Sequence, residues 1–335
     1  MKILLINHYA GSPNLGMEFR PYYVTKGWVK LGHEVLIVGG SYSHLRKVQP
    51  QSCEEMIDDM RYRWVKVNPY KGNGIGRIIS MFSFVTKLYC NYRRYLRNFK
   101  PDIVIASSTY PLDIYPAYRI ARHYHAKLIY EVHDLWPLSP MELGGYSKKH
   151  PFIRIMQKAE DDCYRYADAV VSMLPKAEEH MREHGLTRDK FHYVPNGIVL
   201  SDWNNPKGIP EEHGLLLSKL RAEGKFIVGF AGAHGIANSL YAVIDAVSSL
   251  TEQNVVLVLV GGGQEKENLI KYAHKKGVTN VYFLLPINKL AIPNLLKEMD
   301  VLYIGLQKQS LFRFGISPNK MFDYICLLYT SPSPR

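Results

Sequence analysis

The sequence predicts an α/β protein made of two doubly wound parallel-sheet domains, and three observations carry that expectation. Short β-branched runs alternate with helical patterns, as in a parallel sheet wrapped by helices. The alternation lapses over 201–208 and then begins again. Several runs end in loops that hold glycine or an ionisable side chain, and open α/β sheets bind ligands at those strand ends.

In the first domain the expected strands are Lys2–Ile6, Glu34–Val38, Arg63–Val67, Asp102–Ala106, Lys127–Glu131 and Asp168–Ser172. In the second they are Phe226–Ala231, Val255–Val260, Val281–Leu285 and Val301–Ile304. The aperiodic segment 201–210 is the expected linker between a domain at 1–200 and a domain at 211–325. Two such sheets facing a cleft would both supply residues to a ligand site. Residues 326–335 close on Ser331-Pro332-Ser333-Pro334-Arg335 and continue no periodic pattern. They read as a foreign-looking tail, which would leave the second domain incomplete where the function is expected to lie.

Composition narrows the class. A chain of 335 residues that is 47% hydrophobic has material for two domains and a sizeable core, which excludes disorder as the theme. The net charge of +12 suits a phosphorylated substrate or an anionic membrane surface. No long Lys/Arg tract points to nucleic acid. Cys53, Cys90, Cys163 and Cys326 are widely spaced, so neither a cysteine zinc site nor a disulfide framework is expected. Reduced thiols, and a first strand in place of a signal peptide, suggest a cytoplasmic protein. The nearest approach to a membrane span, Ile78 to Tyr89, is interrupted by Lys87 and is shorter than the ~18 apolar residues required. A peripheral place on the inner face of the plasma membrane stays open. Between Ile75 and Lys100, Ile78, Ile79, Phe82, Phe84, Val85 and Leu88 lie among Arg77, Lys87, Arg93, Arg94, Arg97 and Lys100. Such a helix can rest on anionic lipid or pack on the sheet with a solvated basic face.

The most informative stretch is Gly315-Ile316-Ser317-Pro318-Asn319-Lys320-Met321-Phe322-Asp323-Tyr324. It places Lys320 at a helix start, where the dipole and unpaired N–H groups favour a diphosphate, with Asp323 one turn on to accept from sugar hydroxyls. That combination suggests a nucleotide-sugar site, with Ser317 and Asn319 beside it. Gly232, His234, Gly235 and Asn238 fill the first βα turn of the second domain, where backbone N–H groups could hold the diphosphate. Ile287, after the strand ending at Leu285, could present backbone groups to a base.

In the first domain Gly16 would let the backbone approach a phosphate or sugar, with Glu18 next to it. The loop is not a Gly-x-Gly-x-x-Gly fingerprint, and a plain βα turn is the alternative. His133-Asp134 follows a strand and could position an acceptor hydroxyl or handle a proton. The default for any of thirteen histidines is a satisfied surface or core residue. Asn196-Gly197 reads as hinge geometry and Gly261-Gly262-Gly263 as a turn.

Taken in order, Gly16-Met17-Glu18, Glu131-Val132-His133-Asp134-Leu135-Trp136-Pro137, Pro195-Asn196-Gly197, Ala231-Gly232-Ala233-His234-Gly235 and Ser317-Pro318-Asn319-Lys320-Met321-Phe322-Asp323-Tyr324 resemble glycosyltransferase family 4. The likeness is nearest to the branch that assembles O-antigen and capsular polysaccharide. It implies a GT-B fold of two Rossmann-like domains, the first for acceptor and the second for donor, and metal-independent, retaining transfer without a cofactor. In that family a Glu-x7-Glu motif places one carboxylate on the donor sugar and one on the ribose. Asp323 falls at the second position, whereas the first is Gly315. Many members also carry Arg and Lys after the second domain's glycine turn. Gly232 to Leu240 has neither, so Lys320 is the substitute cation.

The function expected is hexosyl transfer from a nucleotide-diphosphate sugar, UDP-sugar foremost, to a glycan or polyprenyl-diphosphate-linked acceptor in cell-surface polysaccharide biosynthesis. Catalysis would rest on Lys320, His133 and Asp134. The rivals are a nucleotide-sugar 2-epimerase of the same architecture, which needs no acceptor, and an inactive fragment that binds a membrane or a partner. A nicotinamide oxidoreductase is disfavoured, because neither first βα turn has dinucleotide spacing.

Overall fold

The computed structural model describes residues 1–16, 19–72 and 74–328. It divides into two compact units, Met1–Pro195 with Ser310–Ser317, and Asn196–Gln309 with the chain from Pro318 onward.

In the first unit the order is β1 (Lys2–Ile6), α1 (Phe19–Lys30), β2 (Glu34–Gly40), β3 (Glu54–Ile57), β4 (Met60–Val65), α2 (Ile75–Leu96), β5 (Ile103–Ala106), α3 (Ile114–Tyr124), β6 (Lys127–Val132), α4 (Leu138–Gly144), α5 (Pro151–Tyr166), β7 (Ala169–Ser172), α6 (Glu178–Glu183) and β8 (Phe191–Tyr193). The strands form one sheet in the order β3-β4-β2-β1-β5-β6-β7-β8, parallel except for the β3–β4 hairpin. The central strands are apolar on both faces, as Leu4, Leu5, Ile6, Leu36, Ile37 and Val38 show by their full burial, because helices cover both sides. β1 and β5 run in register from Ile3 opposite Ile103. The chain moves outward in opposite directions from this pair, which is the topological switch point.

Periodicity explains the helix faces. In α3, Ile114, Ala117, Ile120 and Ala121 are buried, and in α2 Met81, Phe84, Val85, Leu88 and Tyr92 are, the spacing of one apolar stripe. Helix α2 therefore packs on the sheet, as the second of its two expected readings had it, and it ends at Leu96 rather than at Lys100. Ile75, Ile79, Phe82 and Tyr89 stay exposed on its other side. No helix among the described residues is long and apolar enough to cross a membrane.

The second unit runs α7 (Leu200–Asn204), α8 (Glu211–Ala222), β9 (Phe226–Ala231), α9 (Leu240–Ser248), β10 (Val255–Val260), α10 (Lys266–Lys275), β11 (Val281–Leu284), α11 (Ile292–Lys297), β12 (Val301–Leu302) and α12 (Asn319–Leu328). Its parallel sheet has the order β11-β10-β9-β12, with the switch point between β9 and β12. Apolar layers cover the sheet, Val256, Val258, Leu295 and Leu296 in one and Phe230, Leu257, Leu259 and Ile244 in another.

The boundaries differ from the sequence expectation in three places. The change of unit falls at Pro195 and Asn196, not within 201–210. Part of that expected linker is the helical turn α7, whose Trp203 packs against the second unit's core, and Lys207 bonds through its N–H to the Leu290 carbonyl at 2.9 Å. Segment 310–317 belongs with the first unit. Arg313 donates to both carboxylate oxygens of Glu142 at 2.8 and 3.0 Å, while Leu311 and Phe314 join the first unit's core. Of the expected tail at 326–335, residues 326–328 are the last turn of α12; the remainder lies outside the described residues.

Candidate functional site

Each unit gathers polar side chains at its own switch point. In the first, β5 ends at Ala106 and delivers Ser107, while β6 delivers Glu131 and, just beyond its end, His133. Glu131 and His133 are two residues apart, so they share a face of the extended chain. Ser107 Oγ donates to Glu131 Oε2 at 2.6 Å. His133 Nε2 lies 3.2 Å from that oxygen and 3.0 Å from Ser107 Oγ. Arg20, in the first turn of α1, donates through Nε to Glu131 Oε1 at 2.9 Å. Its other nitrogens donate to the carbonyls of Pro195 and Val194, each at 2.9 Å. The carboxylate is buried. Burial alone would raise its pKa, but the His133 hydrogen bond and charge, the Arg20 charge and the Ser107 hydroxyl outweigh that and hold it well below the usual range.

The structure brings His133 into this cluster and sets Asp134 apart from it. Asp134 Oδ1 accepts from Leu135 N at 2.9 Å and from Ser139 Oγ at 2.6 Å, so its carboxylate ties the loop to the first turn of α4. Burial raises its pKa in spite of those bonds. Gly16 has φ +92, and a Cβ there would sit 3.0 Å from Lys47 N. Its own N–H is bonded to Ser12 O at 2.9 Å, so the glycine is used for close packing inside the loop. Glu18 lies outside the described residues.

In the second unit the loop after β9 and the start of α12 converge. Lys320 Nζ donates to Asn238 Oδ1 at 2.8 Å and stands 4.5 Å from the centre of the Phe230 ring. Asn238 is anchored in turn, its Nδ2 donating to Ala233 O at 2.9 Å. Burial lowers the Lys320 pKa to about 8. Gly232, at φ +153, gives the ammonium its room, since a Cβ there would come 3.2 Å from Nζ. The Gly232 N–H is bonded to Val260 O and that of His234 to Gly262 O, at 2.9 and 2.8 Å. The anion donors expected near Gly232 are therefore not those two groups, and Lys320 brings a charged donor to this turn. Gly235 opens the short 3-10 turn Ile236–Asn238 that carries Asn238.

His234 is fully buried and neither ring nitrogen has a hydrogen-bond partner among the described residues. Burial, then the charges of Lys266 and Lys320, push its pKa down to about 4, so the ring is neutral at pH 7. Lys266 Nζ caps the carbonyls of Gly261 and Leu284 at 2.9 and 2.8 Å. Gly261 itself lies so close to Gly232 O that a Cβ would fall 1.9 Å from it. The glycine run after β10 is thus needed for the two loops to touch.

The other expected donor contacts are dispersed. Asp323 interacts with Trp203 and Lys289; burial raises its carboxyl against both. Ile287 packs on the second unit's core, and Asn319 is exposed. Ser317 closes the segment that belongs with the first unit. Arg20, Ser107 and Glu131 were not singled out as site residues from the sequence, nor was Lys266. Glu131 alone left a signal, its two-residue spacing from His133.

A family profile described as glycosyl transferase 4-like domain matches residues 16–197, and one described as glycosyl transferases group 1 matches residues 217–318. No curated protein sequence matches the chain. Among solved structures, Anabaena HepE in complex with UDP and glucose is similar at 18% identity and TM-score 0.61, over 91% of this chain and 74% of that one. Sucrose-phosphate synthase from Thermosynechococcus elongatus is similar at 15% identity and TM-score 0.66, over 91% and 77%. WaaG, a glycosyltransferase involved in lipopolysaccharide biosynthesis, is similar at 16% identity and TM-score 0.60, over 92% and 75%.

Proposed function

This chain belongs to the glycosyl transferase 4-like family and is a glycosyltransferase of the GT-B type, and from that premise we propose that it transfers a hexosyl group, with retention and without a metal, from a UDP-sugar. The acceptor is a glycan or polyprenyl-diphosphate-linked saccharide of a cell-surface polysaccharide. The observation that carries the reading is Lys320, a half-buried ammonium held over the glycine turn at the second unit's switch point. As the bond from the anomeric carbon to the diphosphate oxygen breaks and one to the acceptor oxygen forms, negative charge grows on the diphosphate. A fixed cation is worth most against that charge. Asp323 would hold the ribose, and His234 would support the donor loop from beneath as a neutral ring. In the first unit, His133, kept in place by Glu131 and Ser107, would orient the acceptor hydroxyl, and Asp134 would shape the loop that follows. UDP and UDP-glucose in the Anabaena HepE structures support the choice of donor.

The exposed stripe of Ile75, Ile79, Phe82 and Tyr89 on α2, with Arg93, Arg94 and Arg97 exposed near its end, supports a resting place on anionic lipid at the inner face of the plasma membrane. The test of the function is release of UDP from UDP-sugars with and without a lipid-linked acceptor. Acceptor-dependent release with a glycosylated product supports transfer. Conversion of the sugar nucleotide without any acceptor would instead identify a 2-epimerase.

A further inference from the structure

We propose that Glu160, His180 and His184 form a binding site for one divalent transition-metal ion, Zn²⁺ by its ligand chemistry, where α5 meets α6 in the first unit. The site is independent of the transfer reading and shares no residue with it. His180 lies in α6 and His184 is the residue just past its end, and their ring centres are 4.7 Å apart. Glu160 of α5 faces them, and one ligand atom from each of the three lies within 4.8 Å of the others. Glu160 Oε1 and His180 Nε2 are 3.3 Å apart. A tetrahedral ion with bonds of 2.0–2.1 Å separates its ligand atoms by about that distance.

The electrostatics also call for a cation. Glu160 is buried, and among the described residues its ion-pair partner is His180. Its remaining bonds come from Tyr164 Oη at 2.9 Å and Gln157 Nε2 at 2.7 Å. That same Gln157 nitrogen lies 2.9 Å from both Asp161 Oδ1 and His184 Nδ1. Asp161 Oδ1 is also 3.0 Å from His184 Nδ1, the kind of carboxylate–histidine contact that orients a metal-bound imidazole. Two imidazoles and a carboxylate favour Zn²⁺ over the harder Mg²⁺ and Ca²⁺. A cavity of about 530 Å³, lined by Asp161, His180 and His184 among others, gives the ion a way in and leaves room for water as a further ligand. Bound there, the ion would tie α5 to α6, next to the contact of His180 with Phe314 at 5.4 Å between rings.

The test is calorimetric titration of the chelator-treated full chain with ZnCl₂, and Co²⁺ titration read by visible absorption. The His180→Ala/His184→Ala double variant is titrated in parallel. The expected result is one Zn²⁺ per wild-type chain, a raised Tm on addition of metal and a Co²⁺ absorption band. In the double variant the band is lost and affinity falls by about a hundredfold or more. No stoichiometric binding by the wild type, or equal binding by a folded double variant, overturns the proposal. If the double variant does not fold, His184→Gln decides. Unchanged Zn²⁺ affinity in that variant also overturns the site, and weakened affinity with loss of the Co²⁺ band supports it.

Discussion

Lys320 Nζ lies 2.8 Å from Asn238 Oδ1, a bond that joins the start of α12 to the loop after β9 within the second unit. The ammonium is held by a neutral amide oxygen and a ring face, and burial is what moves its pKa. A carboxylate partner would neutralise it. An amide leaves its charge available to a phosphate, which fits a group placed to receive an anion.

Replacing that charge should therefore affect chemistry more than folding. Lys320→Ala is expected to lower kcat/KM for the donor sugar by about 10²-fold, the scale of losing one fixed donor to a developing anion. The thermal transition should fall little, since a half-buried, partly desolvated charge is removed along with its hydrogen bond. Steady-state kinetics with variable UDP-sugar, beside a melting curve, check it; unchanged kcat/KM would remove Lys320 from the site.

The pH dependence follows from the same group. With its pKa lowered to about 8 from the usual 10.5, Lys320 is charged below about pH 8 and neutral above. The donor kcat/KM should fall as pH rises through about 8, since that parameter reports the free enzyme, and Lys320→Ala should abolish this limb. Stability runs the other way. Between about 8 and 10.5 the unfolded chain holds the proton and the folded chain does not, so the Lys320 contribution to stability rises with pH across that window.

The Glu131 cluster makes a stability prediction of the same sign at acid pH. Its folded pKa is depressed below the ordinary 4.5 by His133, Arg20 and Ser107 acting against burial. The stability it contributes is complete above that value and disappears as pH falls through the depressed one. Glu131→Gln should cost about 3 kcal/mol at pH 7, because Arg20 loses the charge it pairs with in a buried site. Urea unfolding at pH 7 and again near pH 3 tests this. The gap between wild type and variant should shrink at the lower pH; an equal gap would mean that shape, not charge, is what the glutamine changes.

These sites were legible in the sequence to different depths. Lys320 and His133 stand out as candidates because each is an ionisable residue beside a strong local signal, a helix start in one case and a strand end in the other. Arg20 and Ser107 reach Glu131 across 111 and 24 residues of chain, so only the sheet order brings them together. Most of the parallel strands were readable from their β-branched runs. β3 was not, because its hairpin turns on Asp58-Asp59, with φ +47 and +64, instead of the Asn-Gly pair that usually marks such a turn. β8, three residues long, offers no periodicity to read. Asp134 was a sound candidate by position, but the neighbouring Leu135 N–H and Ser139 hydroxyl take its carboxylate, and no pattern in the sequence records that.

Gly315 supplies the last prediction. It stands where the resembled family has the first glutamate of its Glu-x7-Glu motif, and its backbone accounts for the departure. Its φ is +88, and a Cβ would lie 2.5 Å from Pro175 Cγ and 2.6 Å from Cδ. Pro175 has little freedom to move, since its ring is closed and the next residue, Lys176, donates its N–H to Phe314 O at 2.9 Å. A side chain at 315 thus meets two separate penalties, left-handed backbone strain and a collision with a rigid ring. Gly315→Ala should destabilise the first unit by about 1–3 kcal/mol. Gly315→Glu should do at least as much harm and should not raise donor affinity, because the segment must shift before a carboxylate can be accommodated. Thermal unfolding of both variants and donor binding to Gly315→Glu check the two halves. A stable Gly315→Glu protein that binds UDP-sugar more tightly would show that the glycine is a lost ligand and not a packing requirement.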